Sequence, residues 1–213
     1  MSKPTLILIP CCYKKKKGGG LEYDIRNCII NDLGPESGKK LLELRRKVAI
    51  AFEEKHGPDL GFEVNEFEIE YLEAWQRYTG NLYSQIHENS WEKLKRIPQL
   101  RLLIVSALYG LVNFNEPIRY YNRTMKDRIH SNRRLNTWWK RHGLRDIILD
   151  YIMRNGIEVV HNFLSTDYSE AIANLASTLR GLRIEHVSHT YRGFGSGSNY
   201  YRGREINALI QGF

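Results

Sequence analysis

Pro10-Cys11-Cys12-Tyr13 runs directly into four consecutive lysines, 14–17, and then three glycines, 18–20. Crowded ammonium groups repel one another, so at least one of the four has a depressed pKa. Such a lysine can hold a phosphate or attack an electrophilic carbon. A solvated charge run beside a turn is the plainer alternative. The segment is not a P-loop, because G-x-x-x-x-G-K-[ST] is missing. Further along, Ser106-Ala107-Leu108-Tyr109-Gly110-Leu111 closes an apolar run. Ser106 can emerge into a crevice there, and Gly110 allows a tight turn. A strand exit with a capping serine reads equally well.

Residues 117–145 hold Arg119, Arg123, Lys126, Arg128, Arg133, Arg134, Lys140, Arg141 and Arg145, against one acidic residue, Asp127. Tyr120, Tyr121, Trp138 and Trp139 are interleaved with them. Cations neutralise phosphates and aromatic faces stack on bases. Arginine outnumbers lysine here seven to two, which favours forked phosphate contacts. The opposing reading is a solvated helix face, with at least one of the tryptophans in the core. Residues 191–204 (YRGFGSGSNYYRGR) place Arg192, Arg202 and Arg204 among glycines that let backbone amides approach an anion. A mobile surface loop is the alternative there. The three cysteines include an adjacent pair and no C-x-x-C, so neither a disulfide framework nor a zinc site is expected. The seven histidines show no ligand spacing. No metal and no cofactor is expected.

These stretches need elements to position them. Residues 5–9 form a continuous apolar run of buried-strand type, and 101–107, 157–164 and 182–188 follow as further strands. Apolar residues near 3.6 spacing predict a helix over 36–56, with Ser37 as N-cap and Gly57-Pro58 as stop. Alternation over 62–70 predicts a half-buried or edge strand, and 71–77 a helical turn. Helices are expected over 84–96, over 131–154 with a break at Gly143, from Thr166 or Asp167 to 179, and over 203–211. Strands alternating with helices predict an α/β fold: one domain over 1–213, with a largely parallel mixed sheet flanked by helices. A polar loop after a strand end is where such folds bind ligands.

The chain of 213 residues is long enough for a real core. Its 42% hydrophobic and 26% charged content excludes a disordered chain. No apolar stretch approaches the roughly 18 residues of a membrane span, and no signal peptide is evident, so a cytoplasmic protein without membrane contact is expected. A net charge of +8 suggests an anionic partner.

Residues 78–83 (YTGNLY) resemble the aromatic-x-G-x-aliphatic-Tyr element of the YaaA family of peroxide stress proteins. Residues 106–112 (SALYGLV), followed by Ile118, Tyr121 and Met125, resemble its long S-G-L-Y-G element. Residues 135–139 and 162–168 (NFLSTDY) match two further elements in position. The agreement covers about residues 78–172, while residues 18–75 do not align and are read as a candidate insertion. Phe114 and Tyr120 replace family prolines, Glu116 an aspartate, and Asn122 an arginine. The resemblance implies a basic cleft, DNA binding and a role in limiting oxidative damage. Pro10, Cys11 and Lys15 are also similar to the P-C-x-x-x-K motif of archaeosine synthase, whose lysine is thought to attack a nitrile on a tRNA base. The Pro-Tyr that should follow that lysine is absent.

Two functions are therefore expected to compete. In the first, a nucleic-acid-binding protein, with DNA favoured over RNA, grips phosphates through Arg119, Arg123, Lys126, Arg128, Arg133, Arg134, Arg141, Arg192, Arg202 and Arg204. In the second, an enzyme acts on a nucleobase or nucleotide with Lys15, Ser106, Tyr109 and Ser165 as catalytic candidates. Pro10, Cys11, Tyr78, Gly80, Tyr83, Gly110, Tyr121, Asn162 and Tyr168 would line its pocket. A phosphate-binding protein for small molecules is a third, blander possibility.

Overall fold

All six residues of β1, Thr5–Pro10, are buried, as a strand covered on both sheet faces requires. The computed structural model describes residues 2–63, 69–129 and 132–213. After β1 the chain forms α1 (Pro35–Ala51), β2 (Tyr71–Glu73), α2 (Ala74–Arg77) and α3 (Glu88–Leu94). Next come β3 (Leu100–Ser106), β4 (Gly110–Asn113), β5 (Pro117–Arg119), β6 (Arg128–Ile129) and β7 (Arg133–Arg134). Helices α4 (Leu135–Arg141) and α5 (Leu144–Arg154) lead to β8 (Val159–Asn162). Helices α6 (Thr166–Ala171) and α7 (Leu175–Gly181), β9 (Glu185–Ser188) and α8 (Ser198–Gly212) complete the chain.

Five strands make the main sheet, in the order β4-β3-β1-β8-β9. β1 pairs in parallel with β3 on one side and β8 on the other, and β8 pairs in parallel with β9. Only β4 is antiparallel, at the edge beside β3. The fold is thus a single-domain α/β structure with a mostly parallel mixed sheet, as the alternating elements predict. The chain leaves β1 towards β3 and later returns to the other side of β1 as β8. That reversal puts the switch point at the carboxyl ends of the central strands, where the fold class binds ligands.

Several boundaries differ from the sequence reading. Helix α1 starts at Pro35 behind Gly34 rather than at Ser37, because proline's fixed φ suits the first helical turn. It stops at Ala51, five residues early. Of the edge strand expected over 62–70, residues 64–68 lie outside the described residues; β2 begins at Tyr71. The helical turn expected over 71–77 shrinks to α2. Residue 131 also lies outside the described residues. The rest of the helix expected over 131–154 begins at Leu135, behind β7, and breaks at Gly143, whose φ of +82° a helix interior cannot accept. The helix after Ser165 is two helices, separated at Asn174 with a φ of +69°. Helix α8 starts at Ser198, earlier than expected. Trp138 and Trp139 are both buried. Among the described residues, no helix is long and apolar enough to cross a membrane.

Candidate functional site at the carboxyl end of the sheet

At the end of β1, Cys11 is buried and its Sγ lies 3.0 Å from the hydroxyl of Tyr168 in the first turn of α6. The main chain of Pro10 accepts a 2.9 Å bond from Tyr83 Oη. These two tyrosines pin the strand end from opposite elements. The lysine run then leaves as a short antiparallel partner of residues 77–79. Lys15 bridges Tyr78, Lys16 N–H donates to Arg77 O, and Thr79 N–H donates to Lys14 O. Buried Arg77 clamps this loop by donating to the carbonyls of Lys16 and Gly18, both at 2.6 Å, and to those of Glu70 and Ile118. Cys12 Sγ accepts from Gly80 N–H at 3.3 Å. A Cβ at Gly80 would stand 3.0 Å from the Cys12 Cβ, so the close approach itself calls for glycine. Burial pushes the Cys12 thiol up to about 11, which keeps it protonated.

Of the four lysines, Lys15 turns inward; the other three are exposed. Its Nζ sits 4.1 Å from the centre of the Tyr121 ring and 5.7 Å from that of Tyr78. It donates to Cys12 O at 2.7 Å. No carboxylate among the described residues lies within ion-pair reach of it. Burial lowers its pKa below the ordinary lysine value. The Tyr121 hydroxyl joins Tyr78 Oη at 2.8 Å and Ser106 Oγ at 2.9 Å. Lys15, Tyr121, Tyr78 and Ser106 are thus one contiguous cluster spanning the ends of β1 and β3. Burial raises the pKa of both tyrosines, so they enter chemistry as neutral hydroxyls.

Other candidates fall elsewhere. Tyr109 is fully buried behind Tyr121 and donates to Asp59 at 2.6 Å. Gly110, with a φ of +72°, packs under the Trp139 indole, which donates to Ala107 O. Asn162 ends β8 and accepts from Leu164 N–H. Ser165 precedes α6, half-buried and without a side-chain capping bond. Arg119 is buried, with Nη2 2.5 Å from Asp59 Oδ1 and Nε 2.9 Å from Oδ2, so it is unavailable to a phosphate. Arg202 is also buried, against the Tyr191 ring. Arg123 is half-buried on Glu54 and the Phe52 ring. Arg133 is half-buried, while Lys126, Arg128, Arg134, Arg141, Arg192 and Arg204 are exposed.

Three contacts tie the exposed cations to this end of the sheet. Lys126 reaches Asp167 of α6 at 3.5 Å, and α4 packs on α6. Lys17 lies 6.0 Å from the Tyr120 ring. Helix α8 packs on the turn at Tyr83–Gln85, and its Glu205 accepts from Tyr191 and pairs with His189, which follows β9. Sequence reasoning missed Arg77 and Asp59, and it noted Glu116 only as the replacement of a family aspartate, not as the partner of Arg45. Arg77 directly precedes the YTGNLY element, and that adjacency was the only signal for it.

The fold and this site define an α/β protein with a lysine–tyrosine cluster where strand order reverses. The chain belongs to the peroxide stress protein YaaA family, whose model matches residues 29–211. That membership links it to the oxidative stress response. No curated protein matches the chain.

Proposed function

We propose that this protein binds nucleic acid, DNA by preference, across the carboxyl end of its sheet as part of the response to peroxide. The observation that carries the reading is the convergence of three cationic segments on that end. They are the lysine loop, the paired strands β6 and β7 with Lys126 beside α6, and the 191–204 segment leading into α8. A polymer lying across them would displace condensed counterions, so its binding falls steeply with salt. The test is a titration of duplex DNA, single-stranded DNA and tRNA between about 50 and 200 mM salt. The double variant Arg133→Ala/Arg134→Ala should weaken every polymer and flatten the duplex salt slope by about 2. Polymers that bind no better than free nucleotides would overturn the proposal.

A second reading rests on Lys15. A desolvated amine on two tyrosine rings, with no carboxylate among the described residues in ion-pair reach, suits a nucleophile or a phosphate anchor for one nucleotide. In a pure binder, Lys15→Ala costs no more than Lys14→Ala. If Lys15→Ala alone abolishes binding of a nucleotide, the cluster is a small-substrate site.

A further inference from the structure

Five aromatic rings are exposed among the described residues: Tyr13, Tyr120, Phe194, Tyr200 and Tyr201. All five adjoin cations. Tyr13 precedes Lys14, and Tyr120 follows Arg119 and lies near Lys17. The other three fall within the eight residues 194–201, with Arg202 directly after them and Arg192 and Arg204 on either side. Exposed aliphatic side chains also adjoin cations, as Ile25 does Arg26 and Met153 does Arg154, so that adjacency alone distinguishes nothing. What sets the C-terminal segment apart is that three water-facing rings are gathered in it, and a contiguous patch of this kind calls for an occupant.

The three rings of the C-terminal segment form one patch. Phe194 and Tyr201 have ring centres 4.6 Å apart, and Tyr200 meets Tyr201 edge-on at 5.5 Å. The Arg204 guanidinium stands 5.8 Å from the Tyr200 ring centre. Gly193 and Gly195 have φ values of +84° and +50°, and a Cβ on either would meet nothing within 4 Å. This left-handed turn carries Phe194 out between them, 49% exposed. Among the described residues, neither Arg192 nor Arg204 pairs with a carboxylate. The nearby Glu205 is occupied by His189 and Tyr191.

We propose that Phe194, Tyr200 and Tyr201 form a stacking platform for unpaired bases, with Arg192 and Arg204 on the adjoining phosphates. The proposal rests on the nucleic-acid reading above and narrows it to single-stranded segments. Charge complementarity selects this occupant, because exposed cations beside the rings repel a basic protein and attract a phosphate chain. A duplex hides its base faces, whereas a single strand presents one to each ring. Burying only one ring face per base leaves recognition tolerant of sequence.

The experiment compares labelled single-stranded oligothymidylate with a hairpin duplex, by fluorescence anisotropy on the full chain. The variant Phe194→Ala/Tyr200→Ala/Tyr201→Ala should weaken single-strand binding about 10- to 100-fold and duplex binding less than about threefold. Its salt slope should match the wild type, since no charge is removed. Phe194→Tyr/Tyr200→Phe/Tyr201→Phe should bind like the wild type, because stacking survives without the hydroxyls. Arg192→Ala/Arg204→Ala should instead flatten the single-strand slope by about 1.4. Equal binding of the single strand by wild type and the alanine variant overturns the platform while leaving the broader function standing. So does equal weakening of single strand and duplex. A changed oligomeric state in the alanine variant, with binding intact, marks the patch as a protein interface and also overturns the platform. A wild type that binds neither polymer defeats both proposals.

Discussion

Two sets of buried or half-buried cations lie near one another and are treated in opposite ways. Arg45 and Arg119 are sealed in the interior and fully matched. Arg45 meets Glu116 at 2.9 Å and donates to the carbonyls of Tyr109, Asp59 and Leu111. Glu116 also accepts from Ile29 N–H and Cys28 Sγ. Arg119 meets Asp59, which accepts further bonds from Tyr71 and Tyr109. Lys15, by contrast, has ring faces and two carbonyls but, among the described residues, no carboxylate in ion-pair reach. The matched arginines join α1, the 57–60 turn and β4–β5 into one frame. The unmatched lysine sits where that frame opens. A charge whose partner is supplied internally serves architecture; on the second reading proposed above, the lysine is kept for the anion of a ligand.

The sharpest way to break this contrast is Asp59→Ala. It strands Arg119 in the interior and should cost about 3–5 kcal/mol, read as a lower urea midpoint. A loss under about 1 kcal/mol would show that the pair holds nothing together. Glu116→Leu should cost about 3 kcal/mol, whereas Glu116→Leu/Arg45→Met should recover most of it, because the cost lies in the uncompensated charge. A double variant no better than the single one would place the cost in packing instead.

The pH dependence gives a smaller effect. Burial lowers the pKa of His161 and His186 below 6.5. The folded state therefore holds fewer protons than the unfolded chain near that pH. Stability is complete above about 6.5 and is lost as pH falls through the depressed folded values. Urea midpoints at about pH 7.5 and 5.5 should fall with pH, and less so in His161→Gln. An unchanged slope in that variant would remove His161 from the account. The smallest effect is expected at Lys15 itself. Lys15→Met should leave stability within about 0.5 kcal/mol, since no ion pair is lost. Amine-labelling rates measured over a series of pH values, read by peptide mass, should show a pH profile for Lys15 shifted below those of Lys14, Lys16 and Lys17. Four identical profiles would remove the distinction between Lys15 and its neighbours.

The central strands β1 and β3 were legible because buried strands are continuous apolar runs: TLILI and RLLIVS need no context, whereas the antiparallel edge strand β4 went unread. Helix boundaries were less so, because Gly34-Pro35 outcompeted Ser37 and the left-handed Asn174 divided one expected helix into two. Of the site, the strand ends at Cys11 and Ser106 could be read, and so could the tyrosines of YTGNLY. The fate of each arginine could not. Arg119 and Arg134 look alike in sequence, and what separates them is Asp59, 60 residues away from Arg119 in the chain. Long-range pairing of that kind leaves no periodic trace.

The position of β1 has a consequence for how the chain is made. It precedes both of its neighbours, which are Leu100–Ser106 and Val159–Asn162. At roughly 5–20 residues per second, the first of them leaves the ribosome about five to twenty seconds after β1. Throughout that interval a strand built for burial has no sheet to join and is open to pairing with other chains. The four lysines that follow it impose charge repulsion on any such partner. The segment that later brings Lys15 to the cluster would thus first protect the nascent chain from aggregation.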